Sequence, residues 1–297
     1  MGKLIIAGHE LHELGRQVSK ETGIRILENH IRVFPDQEIK VTIPEIKQVK
    51  GQEIIILKST HSVTKDYNWI ELLQILCLLN EFKAKKITLI TPYLGYSRQD
   101  KRFLNGECIT RKMITNILKC YNVSKVIGFD LHFHRNQGEF ELEGITYENV
   151  TAQKNLIDFI VKKHGLKDYI VVSPDLTNSK IMKELGIKNT AIVKKRDLYA
   201  DKAECIKRIC IDKGEEKNVL IVDDIIASGA TVFTAIKELK NSGCKKFFVA
   251  TTHGFFQKNS LEKLKKKCVD VIASNSIPNE ATQYNLKDKI SEIVKRL

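Results

Sequence analysis

Residues Val219–Thr231 read Val-Leu-Ile-Val-Asp-Asp-Ile-Ile-Ala-Ser-Gly-Ala-Thr, and they are the most informative part of the chain about its fold. An apolar run leads into the adjacent acids Asp223 and Asp224, a loop of small residues follows, and a helical pattern comes after it. This order predicts a buried parallel strand that ends at a ligand crevice, the usual place for a site in a doubly wound α/β sheet. The small residues leave backbone N–H groups free to bind a phosphate at a helix N-terminus: Ala227, Ser228, Gly229, Ala230 and Thr231.

The acids at the end of this strand, Asp223 and Asp224, are candidates to hold sugar hydroxyls or a metal ion. A plain strand, turn and helix without a ligand is the alternative, and a Gly and Ser turn alone would not exclude it. Two acids between an apolar run and a small-residue loop are much rarer by chance. The stretch resembles the phosphoribosyl-pyrophosphate loop of the type I phosphoribosyltransferase-like fold, which implies a ribose 5-phosphate site.

Composition indicates a globular protein with one large or two medium domains. The chain has 297 residues, of which 42% are hydrophobic and 29% charged, and no apolar run has membrane-spanning length. The N-terminus leads into a strand-like segment without a signal-peptide pattern, so we expect a cytoplasmic protein with no membrane partner. The 7 cysteines include no C-x-x-C pair, which favours reduced thiols over disulfides or a zinc site.

The net charge of +13 favours anionic partners. Nucleic acid is one such partner, but the lysines are spread along the chain and no recognised nucleic-acid module appears. Phosphorylated small molecules explain the charge equally well, and a solvated lysine surface is the simplest explanation of all. We therefore expect small phosphorylated partners and no nucleic acid.

Apolar strand-like runs alternate with helical patterns along the chain, which predicts α/β domains with mostly parallel sheets flanked by helices. The strands exceed what one sheet holds comfortably, so we expect tandem domains at 1–147 and 148–297. Whether the C-terminal helix packs back on the first domain stays open. Strands are predicted at Lys3–Ala7, Glu38–Ile43, Glu53–Leu57, Ile87–Thr91, Val126–Phe129, Tyr169–Ser173, Thr190–Val193, Val219–Val222, Phe247–Thr251 and Val269–Ala273.

The first half carries three motifs at predicted strand ends or turns. Phe34-Pro-Asp-Gln-Glu38 offers a ring for a base and a carboxylate for an exocyclic amine, although Pro35-Asp36 is also an ordinary turn. Tyr96-Ser-Arg-Gln-Asp-Lys101 follows a strand, and its arginine can bind two phosphate oxygens at once; a solvated basic loop is the alternative. A histidine at a strand end, as in Asp130-Leu-His132, ligates a metal, orients a phosphate or is structural.

The second half adds two further motifs. Ser173-Pro-Asp175 follows a strand, and Asp175 is a candidate Mg²⁺ ligand because hard cations prefer carboxylate oxygen. Lys194-Lys-Arg196 follows another strand, where cations can neutralise the charge that develops in phosphoryl-group transfer. A basic surface run is the alternative. The sequence shows no Ser, Cys or His triad, and in-line displacement at phosphorus needs none.

Taken in order, these motifs resemble those of the ribose-phosphate diphosphokinase (PRPP synthetase) family over nearly the whole chain. Phe34-x-Asp36-x-Glu38 is similar to the adenine-binding strand of that family, and Tyr96-x-Arg98-Gln99-Asp100-Lys101 is similar to its ATP segment. Further matches are Asp130-Leu-His132 with Gln137-Gly138, Ser173-Pro-Asp175, Lys195-Arg196 and Thr252-His-Gly254. Each match alone is weak, but all of them in register with the phosphoribosyl loop are specific.

The resemblance implies two tandem type I phosphoribosyltransferase-like domains with the active site between them. It implies transfer of the β,γ-diphosphoryl group of ATP to the 1-hydroxyl of ribose 5-phosphate, which gives PRPP and AMP for nucleotide biosynthesis. Mg²⁺ is the implied cofactor, and His132 and Asp175 would position Mg-ATP directly or through water. Lys195 and Arg196 would stabilise the transition state.

The resemblance also implies which residues bind each substrate. Ribose 5-phosphate would contact Asp223, Asp224 and the loop Ala227–Thr231. The implied partners are these two substrates and further copies of the chain, because in the family the Phe-x-Asp-x-Glu strand reaches the ATP of a neighbouring subunit. We therefore expect a homo-oligomer, at least a dimer. The implied ATP-binding residues are Phe34, Asp36, Glu38, Arg98, Gln99, Asp100 and Lys101.

The chain departs from the family pattern after Ser173-Pro-Asp175, where Thr177-Asn178 replaces Gly-Gly and Ile181 replaces an arginine. The departure keeps open a regulatory relative that has the fold and assembles with an active synthetase. Ala227-Ser228, where bacterial-type members often have Asp-Thr, still allows the phosphate cradle. A third hypothesis is a phosphoribosyltransferase that consumes PRPP, which would not need the motifs of the first half. Oligomer size and allosteric regulation do not follow from the sequence.

Overall fold

The structure is a computed structural model that describes residues 2–61, 67–134, 136–174, 186–187, 190–192, 218–241 and 243–297. The chain divides into two compact units. Unit 1 comprises Met1–Val150 and Leu286–Leu297, and unit 2 comprises Thr151–Asn285. Each unit buries a hydrophobic core of its own.

The described residues form the following strands and helices. The strands are β1 (Lys3–Ala7), β2 (Ile26–Leu27), β3 (His30–Val33), β4 (Ile39–Thr42), β5 (Glu53–Leu57), β6 (Lys86–Thr91), β7 (Val123–Phe129), β8 (Gly138–Leu142), β9 (Ile145–Val150), β10 (Tyr169–Ser173), β11 (Thr190–Ile192), β12 (Asn218–Ile226), β13 (Lys246–Gly254), β14 (Asp270–Ser274) and β15 (Thr282–Tyr284). The helices are α1 (His12–Thr22), α2 (Tyr67–Glu81), α3 (Thr110–Cys120), α4 (Gln153–His164), α5 (Ala230–Asn241), α6 (Ser260–Lys265) and α7 (Lys287–Arg296), and short 3₁₀ helices cover His9–Leu11 and Ile46–Val49.

Unit 1 is built on a seven-stranded sheet in the order β2-β1-β5-β6-β7-β9-β8. All neighbours are parallel except β8, which pairs antiparallel with β9. Its central strands are apolar runs because both faces of a parallel sheet are covered; in β5, Ile54 to Leu57 are all buried. A separate hairpin, β3–β4, is fastened to α2 by the Gln74 amide, which accepts from the Val41 N–H and donates to the Ile39 carbonyl, both over 2.8 Å.

The C-terminal helix α7 belongs to unit 1 and lies against α1. Lys287 and Lys295 on α7 pair with Glu21 on α1 over 3.5 and 3.3 Å. Arg296 pairs with Glu148 on β9. The end of the chain is therefore tied to unit 1 by both helix packing and ion pairs.

Unit 2 has a six-stranded, fully parallel sheet in the order β11-β10-β12-β13-β14-β15. The winding matches that of unit 1. In each sheet the first strand of the unit lies second in the spatial order, the next strand along the chain lies at the edge beside it, and all later strands lie on its other side. The predicted α/β class with mostly parallel sheets is confirmed. In the described part of the chain, no helix is long and apolar enough to cross a membrane.

Besides shifts of one to three residues at the ends of β4, β6, β7, β13 and β14, the secondary structure differs from the sequence prediction in the following details. The strand predicted at Val219–Val222 continues to Ile226, because Asp223 and Ile225 still pair with Thr251 and His253 on β13. The acids therefore lie inside the strand. The β8–β9 hairpin was not predicted, since its acidic first strand looks like surface sequence; its turn, Glu143-Gly144, has both residues at positive φ. Edge strands β2, β3 and β15, of 2 to 4 residues, also gave no recognisable pattern.

Candidate active site

Asp223 and Asp224 lie near the carboxyl end of β12 in the sheet of unit 2. Only 8% and 4% of their surfaces are exposed. The Asp224 N–H donates to the Asp223 carboxylate over 3.0 Å, and the Asp224 carbonyl accepts from the Thr251 hydroxyl on β13 over 3.2 Å. The neighbouring strand therefore fixes the backbone of the acids. Carboxylates held in this way can accept hydrogen bonds from sugar hydroxyls.

The predicted phosphate loop, Ala227–Thr231, connects β12 to α5 and includes the first two residues of that helix. Gly229 has φ = 74°, and a Cβ there would lie 3.1 Å from the Phe233 ring, so the turn favours glycine. The Ala227 carbonyl accepts from the Gln257 N–H over 2.9 Å, which anchors the loop. Since the first N–H groups of a helix have no intrahelical acceptor, this loop presents the geometry of a phosphate site.

The motif Thr252-His-Gly254 forms the end of β13, next to the acids of β12. The Thr252 carbonyl accepts from the hydroxyls of Ser274 and Ser276 over 2.6 and 2.7 Å. His253 is 2% exposed, and its Nδ1 lies 2.9 Å from the Ser276 hydroxyl. These contacts give the motif a positioning role beside β12.

Phe34, Asp36 and Glu38 lie in the turn of the β3–β4 hairpin of unit 1, just before the strand that begins at Ile39. The Phe34 N–H donates to the Glu38 carbonyl over 2.8 Å, and the Glu38 N–H donates to the Asp36 carboxylate over 3.1 Å. The Arg32 guanidinium lies 5.3 Å from the centroid of the Phe34 ring. The turn thus presents two exposed carboxylates and a partly exposed ring.

The segment after β6 is pinned against the residues that follow β5. The Gly95 N–H donates to the Thr60 hydroxyl over 2.8 Å, and the Thr60 N–H donates to the Tyr93 carbonyl over the same distance. A Cβ at Gly95 would lie 2.0 Å from the Thr60 carbonyl oxygen, so no other residue fits without a backbone shift. Tyr96 follows at φ = 59°, in the left-handed region. This close approach fixes where the ATP segment begins.

The predicted ATP segment runs from this turn along the surface of unit 1. The side chains of Arg98 and Lys101 are exposed, while Gln99 and Asp100 are partly exposed. The Gln99 carbonyl accepts from the Arg111 N–H at the start of α3, and the Gln99 amide donates to the Lys101 carbonyl, both over 3.2 Å. The segment therefore presents two cations to solvent on an anchored backbone.

The residues beyond this segment, Phe103-Leu-Asn-Gly106, are predicted from the sequence to be a mobile flap, and Glu107 closes their turn. Its carboxylate accepts from the N–H groups of Phe103 and Leu104 over 2.8 and 3.1 Å, and these hydrogen bonds lower the pKa of Glu107. Phe103 and Leu104 are 64% and 69% exposed. The turn is ordered by its own backbone; that it moves stays a prediction.

His132 follows β7, the parallel neighbour of β6, so it lies at the same edge of the sheet as the ATP segment. Asp130, before it, is buried at φ = 43° and donates its N–H to the Val150 carbonyl over 2.8 Å. The Leu131 N–H donates to the Asn149 side chain over 2.9 Å. This turn holds His132 partly exposed. His134 instead stacks on the Phe140 ring at 3.6 Å, which favours the structural interpretation for that histidine.

Three of the predicted site residues lie outside the described residues: Asp175, Lys195 and Arg196. The same holds for Thr177, Asn178 and Ile181, which depart from the family pattern. Ser173 ends β10 two residues before Asp175, and β11 ends at Ile192, before the basic run. Their roles stay predictions.

A buried charge cluster, made of His9, Glu10, Lys58, Asn68 and Glu71, was not singled out from the sequence. The Lys58 side chain is 0% exposed and its ammonium contacts Glu10, Glu71 at 2.5 Å and Asn68 at 2.9 Å. His9 Nδ1 lies 2.7 Å from the Glu71 carboxylate. Two sequence signals were available: a lysine directly after the apolar run of β5, and a glutamate within the apolar pattern of α2.

The electrostatics of this cluster point to an internal ion network. Burial raises the pKa of Glu10, with Lys58 opposing. Burial also pushes the pKa of Glu71 upward, but the hydrogen bond from His9 and the charge of Lys58 bring it below its ordinary value. His9, Glu10 and Glu71 are close enough to share a cation, and the Lys58 ammonium already contacts both carboxylates. The lysine thus fills the role that a metal would have.

Family models match both units of the chain. The model of the N-terminal domain of ribose phosphate pyrophosphokinase matches residues 3–121. The model of the phosphoribosyl transferase domain matches residues 177–289. The first match spans the hairpin and the ATP segment, and the second spans the phosphate loop.

Relatives of full length carry the same description. Ribose-phosphate pyrophosphokinase of Haemophilus ducreyi is 31% identical, with 99% of this chain and 95% of that protein covered. The protein of that name from Campylobacter jejuni is 32% identical, with 96% and 91% covered. The crystal structure of phosphoribosylpyrophosphate synthetase from Mycobacterium smegmatis superposes with a TM-score of 0.82 at 26% identity, covering 99% of this chain and 98% of that one.

Proposed function

Because the chain belongs to the ribose-phosphate pyrophosphokinase (PRPP synthetase) family and is an enzyme of that family, we propose that it transfers the β,γ-diphosphoryl group of ATP to the 1-hydroxyl of ribose 5-phosphate. The products are PRPP and AMP. The observation that carries the proposal is the end of β12, where two buried acids precede an anchored small-residue loop and a helix start. Two tandem type I phosphoribosyltransferase-like units supply the framework.

The β12 loop is the proposed ribose 5-phosphate site. Ala227, Ser228, Gly229, Ala230 and Thr231 offer backbone N–H groups to the 5-phosphate, whose charge the helix N-terminus stabilises. Asp223 and Asp224 accept hydrogen bonds from the ribose hydroxyls. Bound in this way, the substrate is fixed at both its phosphate and its sugar, which is what positioning for in-line displacement requires.

Unit 1 supplies the proposed ATP residues. Arg98 and Lys101, with Gln99 and Asp100 between them, contact ATP from the segment after β6. Phe34 stacks on the base while Asp36 and Glu38 accept from its polar edge, in a neighbouring copy of the chain. A homo-oligomer, at least a dimer, is therefore part of the proposal, as are domain bounds of 1–147 and 148–297 and a cytoplasmic location.

Mg²⁺ is the proposed cofactor, held with ATP by His132 and Asp175 directly or through water. His132 fits this role in that it is partly exposed and lies at the sheet edge from which the ATP segment begins. The ion supplies charge neutralisation on the phosphate oxygens. Lys195 and Arg196 hold the developing negative charge by direct contact.

Phosphorus NMR of the purified protein with ATP, ribose 5-phosphate and Mg²⁺ tests the proposal. Equimolar AMP and PRPP, formed only when both substrates are present, is the expected result. AMP or ADP without PRPP would indicate another acceptor or hydrolysis. A folded protein that leaves both substrates unchanged would refute the reaction and favour the regulatory relative to which Thr177-Asn178 points.

Lys195→Ala sharpens the test. We expect kcat to fall by about 10³-fold while the dissociation constant of ribose 5-phosphate stays the same, because the contact strengthens only in the transition state. Steady-state kinetics and calorimetry measure the two quantities. Lys194→Ala removes the adjacent charge and is the matched control. Equal losses of kcat and of ribose 5-phosphate affinity in Lys195→Ala would remove the residue from its catalytic role.

A further inference from the structure

A cavity of unit 2 lies along α5 and the segment that carries α6, and it reaches the phosphate loop at Ser228. We call it the α5–α6 groove; its volume is about 620 Å³. Its described lining includes no acidic side chain and has five lysines: Lys237, Lys240, Lys258, Lys263 and Lys267. Phe233 and Ile236 contribute apolar surface, and Ser228 and Ala230 form one end. The proposed reaction uses none of these lysines.

The groove lysines differ from other lysines nearby in having no carboxylate partner. Among the described residues, none of the five has a carboxylate oxygen within 4.0 Å; the contact recorded for Lys263 is a 3.4 Å hydrogen bond to the Lys258 carbonyl. Lys265, on the same short helix, instead pairs with Glu262 at 3.1 Å and Glu280 at 3.4 Å. Among the described residues, therefore, no carboxylate balances the positive charge of the groove.

Cys268 has a thiol that lies close enough to two of the groove lysines to be affected by their charge. Burial raises the pKa of its thiol to about 12, while the charges of Lys240 and Lys267 act in the opposite direction by stabilising the thiolate. Lys240 also lies 5.9 Å from the centroid of the Phe247 ring. Lys240 on α5 and Lys267 after α6 thus place positive charge near the same thiol from different elements.

Size and charge together select the class of ligand. Cavities of roughly 300–1,000 Å³ are typical of small-molecule sites. A single phosphomonoester carries about two negative charges at neutral pH, which would leave most of the lysine charge uncompensated. A chain of phosphates matches several flexible ammonium groups, and the partly exposed Phe233 ring adds a face against which a base can pack.

We propose that the α5–α6 groove is a binding site for a small anion with several linked phosphate groups, a nucleoside polyphosphate in particular. The groove shares Ser228 and Ala230 with the proposed 5-phosphate loop, but its five lysines are not among the proposed ribose 5-phosphate contacts. Nucleic acid offers similar charge, but a groove of this volume with an aromatic side chain favours a small ligand over an extended strand.

Lysine-resolved amine labelling tests the site on the full chain. The protein is acetylated with an amine-reactive ester at increasing tripolyphosphate, in the presence of saturating ribose 5-phosphate, and each lysine is quantified by peptide mass spectrometry. We expect the five groove lysines to be protected together with one midpoint, while Lys265 and Lys289 keep their rates. Labelling does not require catalytic turnover, so its result is independent of the phosphorus NMR test of the proposed reaction.

A double variant supplies the energetic test. Lys237→Gln with Lys263→Gln is expected to raise the tripolyphosphate midpoint at the remaining groove lysines about tenfold or more. Lys265→Gln, which removes a charge that is already paired, is expected to leave it unchanged. ATP protecting at lower concentration than tripolyphosphate would support the nucleotide as ligand. Three results would each overturn the proposal: protection by tripolyphosphate only when ribose 5-phosphate is left out, protection by duplex DNA alone, or no protection by any probe.

Discussion

The carboxyl ends of β5 in unit 1 and β12 in unit 2 hold the same place in two sheets of the same winding, yet their chemistry is opposite. Each strand lies third in its order, between the first strand of its unit and the next strand along the chain. After β5 comes Lys58, fully buried and bound by Glu10 and Glu71. Near the end of β12 come Asp223 and Asp224, and after Ile226 a small-residue loop and a helix start follow.

The difference shows how one topology yields a closed end and a ligand-binding end. In unit 1 the crevice is filled from within, because Lys58, Glu71 and Asn68 satisfy one another and little of them reaches solvent. In unit 2 the small residues of the loop leave helix N–H groups to a ligand. A buried ion network exacts a desolvation cost that only complete pairing offsets, so the closed end is expected to be structural.

Removal of the central cation should break the closed end most strongly. Lys58→Met removes the ammonium that contacts both Glu10 and Glu71 and leaves only His9 beside Glu71, so we expect the free energy of unfolding at pH 7 to fall by about 3–5 kcal/mol. Urea denaturation measures it. Lys112→Met, an exposed lysine of α3, should change it by less than about 0.5 kcal/mol. Because protonation of the acids relieves the imbalance, the Lys58→Met deficit should shrink at lower pH; a deficit independent of pH would contradict the ion-network interpretation.

The pH dependence of stability should distinguish two histidines near the closed end. Burial, with the charges of Lys58 and His9, lowers the pKa of His61 to about 4 from 6.5. Between these pH values the unfolded chain binds a proton that the folded chain does not, so stability falls as the pH drops. The free energy of unfolding should therefore fall less between pH 7 and pH 4.5 in the His61→Gln variant, by roughly 2 kcal/mol.

His9 supplies the control of opposite sign for that experiment. Its hydrogen bond to Glu71 raises the pKa of His9 against the effect of burial. The stabilisation is therefore present below the ordinary histidine pKa and disappears as the pH rises through the raised pKa. His9→Gln should thus lose more stability at pH 5.5 than at pH 8, measured by urea denaturation. Parallel pH profiles for His9→Gln and His61→Gln would refute the assignment of the two environments.

At the ligand-binding end the expected effect is on affinity rather than stability. Asp224→Asn keeps the shape and removes one charged acceptor for the ribose hydroxyls, so ribose 5-phosphate should bind about tenfold more weakly. Calorimetric titration measures this. Lys112→Met, a change at an exposed lysine outside the proposed site, serves again as the control variant. An unchanged dissociation constant for Asp224→Asn would remove the residue from the proposed site and weaken the contrast between the two ends.

Much of the fold could be predicted because apolar runs mark parallel strands whatever surrounds them. β5, with the sequence Glu-Ile-Ile-Ile-Leu, and β10 were placed at their observed bounds. β12 was predicted too short, since Asp223 and Asp224 look like the end of a strand until their pairing with β13 is known. The β8–β9 hairpin was not predicted from the sequence, because the alternating glutamates of β8 look like exposed loop sequence rather than an edge strand.

The local motifs of the site could also be predicted, but their partners could not. The order of acids, small residues and helix in Val219–Thr231 predicted the loop, and the structure adds its anchor at Gln257. Gly95 looked like one glycine among many, although only the approach of Thr60 makes it necessary. The roles of Asp175, Lys195 and Arg196 still rest on the sequence and the family resemblance.

By itself, the sequence determined the α/β class, the strand-loop-helix pattern and the family, because these depend on residues that are neighbours along the chain. Only the three-dimensional structure shows that Lys58 is enclosed by Glu10 and Glu71, and that one groove is lined by five lysines with no carboxylate partner among the described residues. The physical reason is that the energy of a charge depends on its burial and on the charges within a few ångströms. Folding brings those neighbours together from distant parts of the chain.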